Sequence, residues 1–434
     1  MADQRYTHPR DLLVSYMARI YGYRMTTTSG GNLSVREPGG EIWITPAKID
    51  KGRLQRSDIV LVRADGSWES AAPPSSELPL HQTIYRTRPD VGAIVHAHPV
   101  ALVAFSIVGQ VPSTRVFHQA WRICGEGTFA PYRLPGSAEL GESIAAALGT
   151  SHSCAILENH GVVAVGSDLA QAFQRFETFE FAGKSIIKAR LLGGEIRELS
   201  DAELASAGEH VADAADFTRS AAPSTAEQEV RTTLQDFVRR GYHQRLFIST
   251  HGTFSARVDD ASFVITPHDR DRGALGRSDL VLVDAGRKTA GSMPSHATRL
   301  HEAIYRRHRR IGAIINAAPV NVTAFAITGS VPDTRTIPES RLVVRSPTLA
   351  RFQLQFQDPD ALAETVSPAQ PIAMLENDGV LVTGATVLEA FDRLEVLEST
   401  AEALINARAL GPLSPMDDRT IAELEAVFFP DAPG

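Results

Sequence analysis

The chain has 434 residues, 43% of them hydrophobic and 22% charged, a globular composition long enough for two domains that each bury a core. A formal net charge of −8 excludes nucleic acid as the main partner, because binding a phosphate backbone needs a basic surface. Two cysteines, Cys124 and Cys154, are too few for a disulfide framework. The first residues lack the apolar core of a signal peptide, and no uninterrupted apolar stretch reaches the roughly 18 residues of a membrane span, so the expectation is a cytoplasmic protein with no membrane partner.

Along the chain, apolar residues at mixed spacings of three and four predict a helix over residues 11–23. Short β-branched segments at Val35, residues 42–44 and residues 59–62 read as strands, separated by Gly, Pro and Asp. Residues 80–88 read as a helix and 91–97 as a buried strand. Residues 154–157 and 162–165 form two more strands around a turn at Asn159-His160-Gly161, and residues 169–192 a long closing helix. Residues 201–225, rich in Ala, Ser and Asp, read as a linker that is helical in part, and a new helical pattern opens at 227–241. Helices alternating with short strands predict a layered α/β domain.

The pattern then repeats. Gly-Ala-Ile-Val-His-Ala-His-Pro from Gly92 returns as Gly-Ala-Ile-Ile-Asn-Ala-Ala-Pro from Gly312. Arg24 matches Arg245, Ser34 matches Ser255, Thr45-Pro46 matches Thr266-Pro267, His81 matches His301 and Glu158-Asn159 matches Glu376-Asn377, all in order. Such matches predict duplication of a whole domain, with the copies at residues 1–215 and 222–434.

The copies differ where chemistry would sit. His96 and His98 stand two apart in a strand, so both rings face one side and can converge on one ion. Their counterparts are Asn316 and Ala318, while Pro319, Ala324 and Phe325 persist, so packing does not require the histidines. His160 is the best third ligand, because Asp378 replaces it while Glu376, Asn377 and Gly379 stay. Glu77 is the acid-base candidate and becomes Ala297; a carboxylate beside a divalent cation can take a proton while the metal holds the developing negative charge. Ser29-Gly30-Gly31-Asn32, with Ser75 and Ser76, can bring N–H and hydroxyl groups close to an oxyanion. His81 is retained as His301 and Ser34 as Ser255, which assigns both a structural role. His251, His268 and His296 have no histidine at the matching first-copy positions; each is either a group contributed to a neighbouring site or a surface substitution.

Five motifs together resemble the class II aldolase/adducin family: Gly31-Asn32-Leu33-Ser34, Thr45-Pro46, Ser75-Ser76-Glu77, His96-Ala97-His98-Pro99 and Asn159-His160-Gly161. The resemblance implies two tandem three-layer αβα domains, each with a largely antiparallel central sheet, the first catalytic and the second degenerate. It implies a divalent metal, foremost Zn2+, one per chain, held by His96, His98 and His160. Glu77 would be the acid/base, and Ser29, Gly31, Asn32, Thr45, Ser75 and Ser76 would bind a substrate anion. It also implies a homo-oligomer, here a dimer of tandem chains imitating a tetramer.

Departures from the family pattern shape the expected activity. Glu77 stands where the epimerases carry Asp, which disfavours an epimerase. Lys48 replaces a Gly of the phosphate loop, which counts against a phosphosugar and lets the Lys face a carboxylate or turn to solvent. The expected partner is a small-molecule substrate, phosphorylated or carboxylated. No Tyr lies in residues 111–120 to act as second proton donor, which makes His118 a catalytic candidate. The expected function is a metal-dependent lyase cleaving a C–C bond of a hydroxy-carbonyl or hydroxy-acid substrate through a metal-stabilised enediolate, as an aldolase or decarboxylase. A dehydratase would use the same groups, and an adducin-like binding protein is the alternative from another class.

Overall fold

The computed structural model describes residues 7–207, 214–219 and 222–429. These described residues form two compact units, the first reaching to Arg115 and taking in Gln119–Lys184, the second holding Val116–His118 and the described residues from Ser185 onward. Among the described residues no helix is long and apolar enough to cross a membrane.

In chain order the first half runs α1 (Pro9–Gly22), β1 (Asn32–Arg36), β2 (Ile42–Ile44), β3 (Val60–Val62), α2 (Leu78–Thr87), β4 (Ala93–Ala97), α3 (Val100–Ile107), α4 (His118–Cys124), β5 (Thr128–Ala130), α5 (Ala138–Leu148), β6 (Cys154–Leu157), β7 (Gly161–Gly166) and α6 (Leu169–Leu192). Its strands form one sheet in the order β3-β2-β1-β4-β7-β6-β5. Every pairing is antiparallel except β5 with β6. Strand alternation sends Ala93, Val95 and Ala97 to a core with Leu13, Met17 and Ile20 of α1 and Phe173 and Phe176 of α6. Ile94 faces the opposite core, with Leu80 and Ile84 of α2 and Ile144 of α5. The sheet therefore lies between two helical layers, as the resemblance implies.

The apolar run after His98 is not more strand. Pro99 caps α3 in extended conformation, and a residue without an N–H suits a helix start better than a ladder. The sequence pattern assigns no element to residues 98–153, and α4, β5 and α5 fill the stretch beyond α3. They are short, and β5 is held by pairing with a strand some 25 residues onward in the chain, which no local period reveals.

The second half repeats the plan. It holds α7 (Asp201–Ala207), β8 (Asp216–Phe217), α8 (Thr225–His243), β9 (Thr253–Arg257), β10 (Ser262–Ile265), β11 (Val281–Asp284), β12 (Arg287–Thr289), α9 (Thr298–Arg307), β13 (Ala313–Ala317), α10 (Val320–Ile327), α11 (Pro338–Val343), β14 (Thr348–Ala350), α12 (Leu354–Gln357), α13 (Pro359–Thr365), β15 (Ile372–Leu375), β16 (Gly379–Gly384), α14 (Val387–Arg408) and α15 (Asp418–Phe428). The sheet order is β14-β15-β16-β13-β9-β10-β11-β12-β8. The expected linker is thus helical at α7, and it supplies an edge strand at β8 that pairs in parallel with β12; its residues 208–213 and 220–221 lie outside the described residues.

A buried polar cluster joins sheet to helix in both copies. Ser34 Oγ on β1 lies 2.6 Å from His81 Nδ1 and 2.7 Å from Tyr85 Oη, both on α2. Ser255 repeats this with His301 at 2.7 Å and Tyr305 at 2.8 Å. The structural role expected of Ser34 and His81 has this geometry behind it.

Glycine is required just before β4 and β13. A Cβ on Gly92 would stand 2.1 Å from Ser167 O, and one on Gly312 would stand 2.2 Å from Ala385 O, because each glycine packs against backbone beyond the paired strand. Gly92→Ala or Gly312→Ala should destabilise its own unit by about 1–3 kcal/mol, seen as a lower denaturant midpoint. Gly22→Ala, whose Cβ would meet nothing within 4 Å, is the control and should leave the midpoint nearly unchanged.

Candidate metal centre and active site

The three histidines expected as ligands come together. His96 on β4 and His160 in the turn before β7 are brought side by side because β4 and β7 pair antiparallel, His96 opposite Val163. Each of His96, His98 and His160 offers one nitrogen within 4.8 Å of the other two. The His96 and His98 Nε2 atoms are 3.1 Å apart, close to the roughly 3.3 Å between two tetrahedral ligands at zinc–nitrogen distances of about 2.0–2.1 Å. His96 Nδ1 lies 3.0 Å from Val162 O; donating there leaves Nε2 as the coordinating atom and fixes the ring. The donor set fits a divalent ion of borderline softness.

Glycine makes room for this. Gly31 has φ +69°, and a Cβ on it would stand 2.9 Å from His96 O. A Cβ on Gly161 would stand 2.7 Å from His98 Cδ2, and one on Gly30 would stand 3.1 Å from His98 Nδ1.

Glu77, at the N-terminus of α2, reaches into the same cluster. Its Oε2 lies 3.0 Å from His96 Nε2 and its Oε1 3.4 Å from His160 Nε2. Asn32 Nδ2 donates to Oε2 at 2.7 Å, and Asn32 Oδ1 meets His81 Nε2 at 2.5 Å. A continuous chain therefore runs Tyr85–Ser34–His81–Asn32–Glu77. His81 was expected to be structural only; it also orients the residue that holds Glu77. Sequence spacing carries one hint, since Glu77, His81 and Tyr85 recur every four residues on one helix face.

Burial and charge set the protonation. Burial first, then the neighbouring positive charge of His96, pushes His98 down to about 3 and His160 down to about 4, so both rings are neutral and able to ligate. Burial pushes the Glu77 carboxyl up, but the charge and hydrogen bond of His96, with help from Asn32 and His160, hold it well below the usual carboxylate range. Burial likewise lowers His96, and Glu77 outweighs it, so the imidazole is raised above its ordinary value. A metal ion would compete with a proton for the same Nε2 of His96.

The expected anion-binding residues surround this centre unevenly. Asn32 is buried and committed to Glu77 and His81. Thr45 is buried, with Oγ accepting from Leu33 N at 3.2 Å, and Ser75 Oγ accepts from Glu77 N at 3.2 Å. Ser29 and Ser76 are exposed, as is Lys48, which sits in left-handed conformation with φ 52°. Two residues were not foreseen. Lys51 is buried, donates to Pro46 O at 2.8 Å, and is pushed down to about 8 by burial, so it braces the Thr45–Lys48 loop from behind. Thr26 Oγ1, buried without a hydrogen-bond partner among the described residues, lies beside Gly30 and Gly31. His118 begins α4 and belongs to the second unit, its Nδ1 3.9 Å from Asp378 Oδ1 and its ring 6.3 Å from that of Phe352.

In the second copy the corresponding groups serve the fold. Asn316, at the position of His96, accepts from His301 Nε2 at 2.6 Å, taking over what Asn32 does for His81. Asp378, at the position of His160, accepts from Gln355 Nε2 at 2.7 Å.

The chain belongs to the class II aldolase and adducin N-terminal domain family, whose pattern it matches over residues 11–187 and again over 232–405. It is 32% identical to an L-fuculose phosphate aldolase of Methanococcus maripaludis over 161 residues, 37% of this chain and 86% of that protein. It is 30% identical to a 3-oxo-tetronate 4-phosphate decarboxylase of Haemophilus influenzae over 200 residues, 45% of this chain and 93% of that protein. A solved L-fuculose 1-phosphate aldolase aligns at 29% identity and TM-score 0.43, covering 47% of this chain and 95% of that one.

The buried histidines predict a pH response. Burial takes His81 down to about 3 and His301 down to about 4, against an ordinary value near 6.5. Both are neutral when folded, so their contribution to stability is complete above about pH 6.5 and is lost as pH falls toward those lower values. His301→Gln should flatten the fall in stability between pH 6 and 4.5 by up to roughly 1.4 kcal/mol per pH unit, measured by urea denaturation. Parallel curves for the two proteins would contradict the burial argument.

Proposed function

We propose that the chain is a metal-dependent lyase acting on a small phosphorylated or carboxylated hydroxy-carbonyl compound, with its chemistry in the first copy. The observation that carries this reading is the Glu77 carboxylate, held between His96 and His160 at 3.0 and 3.4 Å beside a three-histidine cluster. Relatives named as an aldolase and as a decarboxylase support C–C bond cleavage. Both reactions leave negative charge on the carbon next to a carbonyl.

His96, His98 and His160 would hold the ion, foremost Zn2+. Bound there, it supplies positive charge for the oxygen on which that negative charge accumulates. The protein does the rest. Glu77 moves the proton at the reacting carbon or hydroxyl, Asn32 keeps its Oε2 in place, and His81 keeps Asn32 from turning. Gly31 lets the backbone approach, and the exposed hydroxyls of Ser29 and Ser76 face a phosphate or carboxylate, with the exposed ammonium of Lys48 as counter-charge, while buried Thr45 and Ser75 hold the backbone behind them. His118 remains a candidate proton donor, and the second copy supports assembly as a dimer of tandem chains, to be tested by mass in solution.

A panel of short sugar phosphates and oxo-acid phosphates, assayed with metal content recorded, tests the reading. Glu77→Gln should cut kcat by about 10²–10⁴-fold and keep the metal, whereas His98→Ala should lose metal and activity together. Chelation should abolish turnover, and Zn2+ should restore it. A Glu77→Gln protein that retains full activity would overturn the assignment.

A further inference from the structure

The corner of the first copy expected to face an anion is built by Ala47, Lys48 and Ser76. The second copy keeps that corner's backbone and reverses its chemistry. Thr45 O accepts from Ser75 N at 3.1 Å, and Thr266 O accepts from Ser295 N at 3.1 Å. Pro46 bridges Pro74 as Pro267 bridges Pro294. Lys48 and its counterpart Asp269 share a left-handed backbone, at φ 52° and 51°. On this common frame Ala47 becomes His268, Lys48 becomes Asp269 and Ser76 becomes His296. An ammonium and a hydroxyl are replaced by a carboxylate and two imidazoles.

We propose that His268 and His296 form a second metal site, in the second unit, for a divalent ion of the zinc, nickel or copper type. Their Nε2 atoms are 3.3 Å apart and their rings stand at 81°. Two ligands about 2.0–2.1 Å from one tetrahedral ion are separated by roughly 3.3 Å. The His96–His98 pair has the same ring angle of 81° and an Nε2 separation of 3.1 Å. Asp269 Oδ2 lies 3.8 Å from His268 Nε2, which sets negative charge at the corner and selects a cation over the phosphate or carboxylate expected of the first copy. The site is reachable, since both histidines are partly exposed and Asp269 is open to solvent. Imidazole nitrogens favour borderline transition ions over magnesium or calcium.

The test is equilibrium dialysis of the full chain against micromolar Zn2+, comparing the wild type with His268→Ala/His296→Ser. These substitutions install the first copy's own residues on the same backbone, and circular dichroism checks the fold. The double variant should hold one equivalent of Zn2+ fewer per chain. Asp269→Lys, which keeps both histidines, should weaken that equivalent by about 10–100-fold. Equal Zn2+ content in wild type and double variant would overturn the proposal. The readout is a difference, so it is separate from the lyase reading: two equivalents falling to one, or one falling to none, each supports this site, and the latter would remove the first-copy site instead.

Discussion

A hydroxyl, an imidazole and a phenol buried together between a strand and a helix set the frame on which both copies are built. Each is polar and withdrawn from water, and a buried polar group left unpaired costs about 1–3 kcal/mol. Ser34, His81 and Tyr85 therefore have to find one another, which fixes the register of α2 against β1. The same holds for Ser255, His301 and Tyr305. The third polar demand, that of the outer imidazole nitrogen, is where the copies part. In the first it is met by Asn32, whose other end holds Glu77; in the second it is met by Asn316 on the neighbouring strand, and the relay stops there.

That difference explains how the second copy keeps the fold without the first copy's histidines and Glu77. Replacing His96 with Asn would remove an imidazole from the cluster, yet Asn316 satisfies the buried His301 that would otherwise want a partner. Asp378 is likewise held by Gln355. In the first copy the equivalent groups are held in tension: burial holds His98 and His160 low, while the Glu77 carboxylate raises His96 and is itself lowered by it. Such an arrangement suits a cation and contributes little as a packed core, since charges withdrawn from water give back much of their mutual attraction as lost hydration.

Much of the site was legible in the residues alone. A strand alternates its faces, so His96 and His98 had to share one, and the joint absence of His96, His98, His160 and Glu77 from the second copy marked them as a set. Their neighbours were harder to read. His81 persists in both copies and so looked purely structural, because a difference between copies cannot reveal a residue that serves both fold and site. Lys51 and Thr26 belong to no motif; what distinguishes them is burial.

What the sequence by itself determined is the duplication, the alternation of helices and short strands, and the grouping of His96, His98, His160 and Glu77 as one set that the second copy lacks, all of which follow from local periodicity and from order along the chain. Tertiary structure decided the rest. The parallel β5–β6 edge, the path from Tyr85 to Glu77 through Ser34 and Asn32, and the facing of His268 and His296 across a corner whose charge was reversed are all pairings between segments far apart in sequence. Their partners are chosen by which polar groups must be satisfied once the sheet closes, and that condition exists only in the folded molecule.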